Sequence, residues 1–136
     1  MSMKITQKTS FSAAHRLLNY EGSCHHLHGH LWSVFISIES EKDLDKCSML
    51  LDYRTIKNYI KDNYDHRAIL NEKDPLVNIL GNMELDVTVM SGNPTAENIA
   101  NMILEDIVTL AKLNKSWDHC TVIVCESPDN SAEVSF

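Results

Sequence analysis

From Leu27 onward, apolar and polar positions alternate with a period of two. His28, His30, Trp32, Val34, Ile36 and Ile38 share one parity, while Gly29, Leu31, Ser33, Phe35, Ser37 and Glu39 share the other. Successive side chains of a strand point to opposite faces, so this pattern predicts a strand, with another before it at about Lys4 to Ala13. A turn-rich stretch from Glu39 to Ser48 leads to Asp52, a good N-cap, after which Tyr53, Ile56, Tyr59, Ile60 and Tyr64 recur at helical spacing. Asp74-Pro75 marks a break, and Leu85, Val87 and Val89 alternate with Glu84, Asp86 and Thr88 as a short strand would. Asn93-Pro94-Thr95-Ala96-Glu97-Asn98 has the grammar of a helix start: Pro in the first turn, an Asn or Thr cap, and a carboxylate near the positive end of the dipole. Ile99, Met102, Ile103, Ile107, Leu110 and Ala111 then form an apolar stripe, with Lys112 and Lys115 suited to its C-terminal end. The chain closes with the apolar strand Cys120 to Glu126, a Ser-Pro-Asp-Asn turn and a short strand to Phe136. Strands, two helices and strands in that order read as an α+β fold with an antiparallel sheet.

The 136 residues suffice for one compact domain spanning 1–136 whose core needs no disulfide framework. No repeat, low-complexity tract or linker interrupts them. A formal charge of −7 disfavours broad binding to nucleic acid or to an acidic membrane surface. No apolar run approaches the roughly 20 residues of a membrane-spanning helix, which predicts a soluble protein. Cys24, Cys47, Cys120 and Cys125 form no C-x-x-C pair, and Met1-Ser2-Met3-Lys4-Ile5-Thr6 is not a signal peptide, so free thiols in a reducing cytoplasm are expected.

The departure from ordinary composition is histidine. Seven occur, and His15, His25, His26, His28 and His30 fall between positions 15 and 30. Residues two apart on a strand project from one face, so His28 and His30 can reach a single ion; on a helix they would diverge by about 200°. His15, at the end of the first strand, can lie across a hairpin as a third ligand. Three neutral imidazoles suit Zn²⁺ and leave a coordination position open for water or substrate, the arrangement of a catalytic site. Taken alone, a His-x-His pair is as well explained by hydrogen bonding or surface exposure. Trp32, Val34 and Ile36 on the same face weigh against that, because buried imidazoles need partners. Cys24, four residues before His28, either closes a structural zinc site or stands beside the metal as a base or nucleophile, and spacing does not separate the two. Asp65-His66 is a candidate carboxylate–imidazole pair, although adjacent residues often point apart. His25 and His26 are equally explained by a polar loop.

The run Phe11-Ser12-Ala13-Ala14-His15-Arg16-Leu17, followed by Cys24-His25-His26-Leu27-His28-Gly29-His30, resembles the signature of the 6-pyruvoyl-tetrahydropterin synthase family, in particular its 6-carboxy-tetrahydropterin synthase branch of queuosine biosynthesis. Leu50-Leu51-Asp52-Tyr53, Asp65-His66-Arg67-Ala68-Ile69-Leu70-Asn71, Asn93-Pro94-Thr95-Ala96-Glu97-Asn98-Ile99-Ala100 and Val122-Ile123-Val124-Cys125-Glu126-Ser127 resemble further family segments in the family's order, covering nearly the whole chain.

The resemblance implies a tunnelling fold (T-fold), expected here as a four-stranded antiparallel sheet with two helices packed on one face. It implies Zn²⁺ held by His15, His28 and His30, with Cys24 as proton-abstracting thiolate grouped with His66 and Asp65. Glu126 would anchor the pterin ring, and Thr95 and Glu97 would line or support the pterin pocket. The implied activity is a lyase reaction on 7,8-dihydroneopterin triphosphate, releasing acetaldehyde and triphosphate in the 6-carboxy branch or triphosphate alone in the 6-pyruvoyl branch. A cytoplasmic homo-oligomer, a trimer or hexamer built as a dimer of trimers, is implied as well. The triphosphate in an acidic protein would need local positive charge, for which zinc, Arg16, His25, His26 and Arg67 are candidates. Two readings from other classes stand beside this one: a structural zinc module closed by Cys24, and a metal-independent hydrolase using Cys24 and His66. Leu31-Trp32 replaces the family's more usual polar–aromatic pair, and Leu76 to Gly92 is longer than the family connection, as an extra strand or a loop bordering the site.

Overall fold

The computed structural model of the chain describes residues 1–112 and 117–136, and for Ala111 and Lys112 the backbone alone. The expectations for the side chains of Ala111, Lys112 and Lys115 therefore lie outside the described part.

Strands β1 (Met3–His15) and β2 (His28–Ser40) form one long antiparallel ladder, from Met3 opposite Ser40 to His15 opposite His28. The period-two pattern places Trp32, Val34, Ile36 and Ile38 on one face, where all are buried. The first helix follows as expected: α1 (Tyr53–Tyr64) starts at Asp52, whose carboxylate accepts from the Arg54 N–H, and buries Ile56, Ile60 and Tyr64.

The central part of the chain departs from the sequence expectation. Arg67–Asn71 is a strand, β3, which pairs in parallel with β1. Leu76–Asn82 is a short helix, α2, and Val87–Met90 is β4, in parallel with β3. A strand was expected near Val87; the helix and β3 were not. β3 is only five residues long and buried at Ile69, Leu70 and Asn71, so it lacks the alternation that marks a half-exposed strand.

Helix α3 (Ala96–Lys112) is joined to α1 by a hydrogen bond from Tyr59 to Asp106, and β5 (His119–Ser127) and β6 (Asn130–Ser135) close the sheet in antiparallel fashion. The sheet order is β4-β3-β1-β2-β5-β6. The expected four-stranded antiparallel unit is β1, β2, β5 and β6, and β3 and β4 extend it into a six-stranded mixed sheet. Both long helices cover one face. Ile99, Ile103 and Ile107 of α3 and Ile56 and Ile60 of α1 meet Phe11, Trp32, Val34, Ile36, Val122 and Val124 in one core. The other face carries side chains of opposite parity, including the exposed Leu31. Among the described residues, no helix is long and apolar enough to cross a membrane.

Ile103 is fully buried between α3 and the sheet. Its replacement by Ala removes three methyl(ene) groups and leaves a cavity, so denaturant unfolding of Ile103→Ala should show a loss of about 2–5 kcal/mol. A loss well under 1 kcal/mol would contradict the packing described.

Candidate metal and active site

The β1–β2 register brings the histidines together. His15 stands directly opposite His28, and His30 lies opposite Ala13 on the same face. The ring centroids of His15 and His28 are 4.6 Å apart, those of His28 and His30 5.0 Å, and those of His15 and His30 5.2 Å. Trp32 forms the floor: it is fully buried, meets His15 and His30 edge-on at 4.9 and 5.4 Å, and its indole N–H donates to the Ala13 carbonyl. The Leu31-Trp32 pair thus puts the indole beneath the imidazoles and leaves Leu31 on the opposite face.

Two backbone carbonyls fix the rings. His15 Nδ1 lies 2.7 Å from the Pro94 carbonyl and His28 Nδ1 lies 2.6 Å from the His26 carbonyl. A carbonyl can only accept, so each Nδ1 carries the proton and each Nε2 presents a lone pair. The Nε2 atoms of His15, His28 and His30 are buried without a hydrogen-bond partner. Glu126, at the end of β5, aims a carboxylate at the same point. Its Oε1 is 2.9 Å from His30 Nε2 and 3.5 Å from His15 Nε2, though neither contact has hydrogen-bond alignment. One donor atom from each of these four residues falls within 4.8 Å of the others.

Converging acceptors with no shared proton repel one another, and each buried unsatisfied group costs about 1–3 kcal/mol. A cation among them removes both penalties. Three imidazoles, two of them with Nδ1 held by a backbone carbonyl, and a carboxylate facing them therefore fit a divalent metal ion. Burial, opposed in part by the Pro94 carbonyl, holds the His15 ring below its ordinary pKa and so keeps it neutral, the form that binds metal.

The remaining candidates divide. Cys24 lies half-buried in a single 3-10 turn, Ser23–His25, and its carbonyl accepts from the Leu17 N–H. Its thiol is not part of the donor group, which Glu126 joins instead. Cys120, by contrast, is a core thiol pushed up to about 11 by burial. Asp65 and His66 do pair, with Oδ2 2.9 Å from Nδ1. The other carboxylate oxygen accepts from the Ser12 N–H, which above all holds the Asp65 carboxyl below its usual range, and the His66 N–H donates to the Ser12 carbonyl. Both backbone groups of Ser12 are thus taken by one dipeptide. The His66 backbone is left-handed, with φ of 57°, and its imidazole is turned outward, 83% exposed. Thr95 caps α3, its Oγ1 accepting from the Asn98 N–H, while Pro94 sits just before the helix rather than in its first turn. Glu97 is exposed in that first turn.

Arg16 does not supply a free positive charge. Its guanidinium makes a two-point ion pair, at 2.6 and 2.7 Å, with Asp74, whose side chain is fully buried. The pair raises Arg16 and lowers Asp74, and Asp74 also caps α2 through the Leu76 N–H. Three features go beyond the sequence expectation: the convergence of Glu126, itself a candidate for the pterin ring, on the histidines, and the two orienting carbonyls. The Glu126 side chain has the parity of Cys120, Val122 and Val124, a signal that was available and points it to the core face. The Pro94 and His26 carbonyls are backbone groups and leave no residue-type signature.

The family profile of 6-pyruvoyl tetrahydropterin synthase matches residues 4–135. The chain belongs to that family. The 6-carboxy-5,6,7,8-tetrahydropterin synthase of Rickettsia conorii is 30% identical over 97% of this chain and 99% of its own. The enzyme of that name from Haemophilus influenzae is 30% identical over 74% of this chain and 78% of its own. The same fold recurs in an uncharacterised protein of Wolinella succinogenes, with a TM-score of 0.80, 23% identity and 98% of each chain covered. It recurs in the 6-pyruvoyl tetrahydropterin synthase of Plasmodium vivax, with a TM-score of 0.75, 18% identity, and 100% of this chain and 98% of that one covered. The architecture is accordingly the T-fold.

Metal-free protein offers a direct check on the buried ring. The unfolded chain binds the His15 proton first as pH falls through about 6.5, so stability conferred by the neutral ring is full above that value and declines below it toward the lower folded pKa. From about pH 8 to pH 5 the denaturant midpoint of wild type should fall relative to that of His15→Asn. A pH-independent difference would contradict a buried neutral His15.

Proposed function

We propose that the chain is a zinc-dependent 6-carboxy-5,6,7,8-tetrahydropterin synthase that converts 7,8-dihydroneopterin triphosphate with release of acetaldehyde and triphosphate, within queuosine biosynthesis. The observation that carries this reading is the set of three buried, partnerless Nε2 atoms facing Glu126. The named function of relatives matched over nearly the full chain supplies the reaction.

In this reading His15, His28 and His30 would hold the metal ion, which would supply Lewis-acid polarisation that acidifies a substrate C–H. Glu126 accepts paired hydrogen bonds from a pterin ring N–H and its exocyclic amine, beside the metal position rather than on it. Cys24, on its short turn between Leu17 and His28, removes the carbon-bound proton as thiolate. The Asp65 carboxylate, anchored on Ser12, orients the His66 ring for proton transfer. Trp32 closes the floor against water. Thr95 and Glu97 mark the α3 start as the support of the pterin pocket. The outward-facing His66 and the edges at β4 and β6 fit a homo-oligomer in which neighbouring copies complete the sites. With Arg16 held by Asp74, the triphosphate falls to His25, His26 and Arg67.

The 6-pyruvoyl reaction is the alternative that the family name keeps in view; it releases triphosphate and retains the side chain on the pterin. Incubation of the metal-loaded protein with 7,8-dihydroneopterin triphosphate should yield acetaldehyde, and a pyruvoyl product would transfer the chain to the other branch. Cys24→Ala should keep its metal and lose about 10²–10⁴-fold in turnover. Unchanged turnover would remove Cys24 from the mechanism.

A further inference from the structure

The Pro94 carbonyl turns His15 Nε2 toward the other rings, and a neighbouring side chain holds the loop that carries it. Asn93 Oδ1 accepts from the Leu18 N–H at 3.0 Å and from Asn71 Nδ2 at 3.1 Å, while its Nδ2 donates to the Leu18 carbonyl at 3.0 Å. One amide thus satisfies both backbone groups of Leu18, three residues beyond His15. The Asn93 carbonyl in turn accepts from the Thr95 N–H at 2.8 Å and from Asn98 Nδ2 at 2.9 Å, which ties it to the first turn of α3. Gly92 enters this loop at φ +84°, a left-handed conformation that a side chain resists, and a Cβ there would come within 3.3 Å of Asn98 Nδ2. Asn93 therefore links the exit of β1 to the entry of α3, the two segments that carry the two ends of the His15–Pro94 hydrogen bond.

We propose that Asn93 is a positioning residue for the metal site: its clamp on Leu18 holds the Pro94 carbonyl against His15 Nδ1 and so fixes the tautomer that presents Nε2 to the ion. The proposal rests on the reading of the histidines as metal ligands. Without the clamp the carbonyl drifts from Nδ1, and the ring is free to rotate or to carry its proton on Nε2, where it cannot bind a cation. Loss of such an orienting partner typically costs about 10–100-fold in metal affinity.

The test uses full-length protein in two states. In metal-free protein at about pH 8, where a free imidazole is neutral, ¹⁵N-labelled histidine spectra report which His15 nitrogen carries the proton. Competition with a chromophoric chelator then gives the zinc affinity of the same samples. Wild type should show Nδ1–H alone. Asn93→Ala and the near-isosteric Asn93→Asp, which cannot donate to the Leu18 carbonyl, should show both tautomers and lose about 10–100-fold in affinity. Asn71→Ala, which leaves both Leu18 bonds intact, should lose less than about tenfold, and it carries the comparison together with Asn93→Asp should Asn93→Ala not fold. Tyr59→Phe, which removes the hydrogen bond to Asp106 between α1 and α3, should leave both readouts unchanged. Wild-type tautomer and affinity in the Asn93 variants would overturn the proposal, as would an equal loss in Tyr59→Phe. Wild type that binds no zinc would overturn the metal reading, while the tautomer in metal-free protein would still decide whether Asn93 orients His15.

Discussion

His15 faces His28 across an antiparallel ladder, and each ring is held by a hydrogen bond from Nδ1 to a backbone carbonyl. That arrangement commits two Nε2 lone pairs to a shared point, and His30, two residues along from His28, adds a third. Everything else at the site follows from the resulting concentration of acceptors. Trp32 and the core beneath it keep water from satisfying them, and Glu126 raises the negative charge that faces them. A protein interior does not keep such a group of unpaired acceptors cheaply, and a cation is what makes the arrangement favourable.

The geometry also explains why the acidic chain spends its cations locally. Arg16 follows His15 directly and was a candidate for binding phosphate, but it is paired with the buried Asp74, whose carboxyl it chiefly holds below the usual range. The ion pair ties the end of β1 to the start of α2, and the Asn93 clamp ties the next residues to the start of α3. Both fasten the chain immediately after its first metal-binding candidate. Asp74, just before α2, is the buried carboxylate that anchors Arg16, and β4 beyond α2 is the parallel strand that covers β3.

How much of this was legible in the sequence depended on which groups carry the information. The alternation from His28 to Ile38 and the spacing of Ile56, Ile60 and Tyr64 gave β2 and α1 directly, because each element is half-exposed and its period survives in the residue types. β3 was missed because its buried run, Ile69 to Asn71, has no alternation, and α2 because seven residues at its mixed burial give too short a pattern. The three histidines were legible from His-x-His and from the hairpin. The convergence of Glu126 on them depends on the β5 register, and the orienting carbonyls of Pro94 and His26 leave no mark in the sequence, since every residue has one. Asp65-His66 shows the opposite case: the pair forms as its chemistry suggested, yet its anchor is the backbone of Ser12, and the ring faces away from its own chain.

The central claim is that the ion takes its protein ligands from three histidines and leaves a position open to substrate. Anomalous diffraction at the zinc edge, from crystals of the zinc-loaded protein, tests it most directly. The account predicts one peak about 2.0–2.1 Å from Nε2 of His15, His28 and His30, with Glu126 beyond ligation distance. A peak elsewhere, or a sphere closed by Glu126 or by Cys24 Sγ at about 2.3 Å, would contradict it.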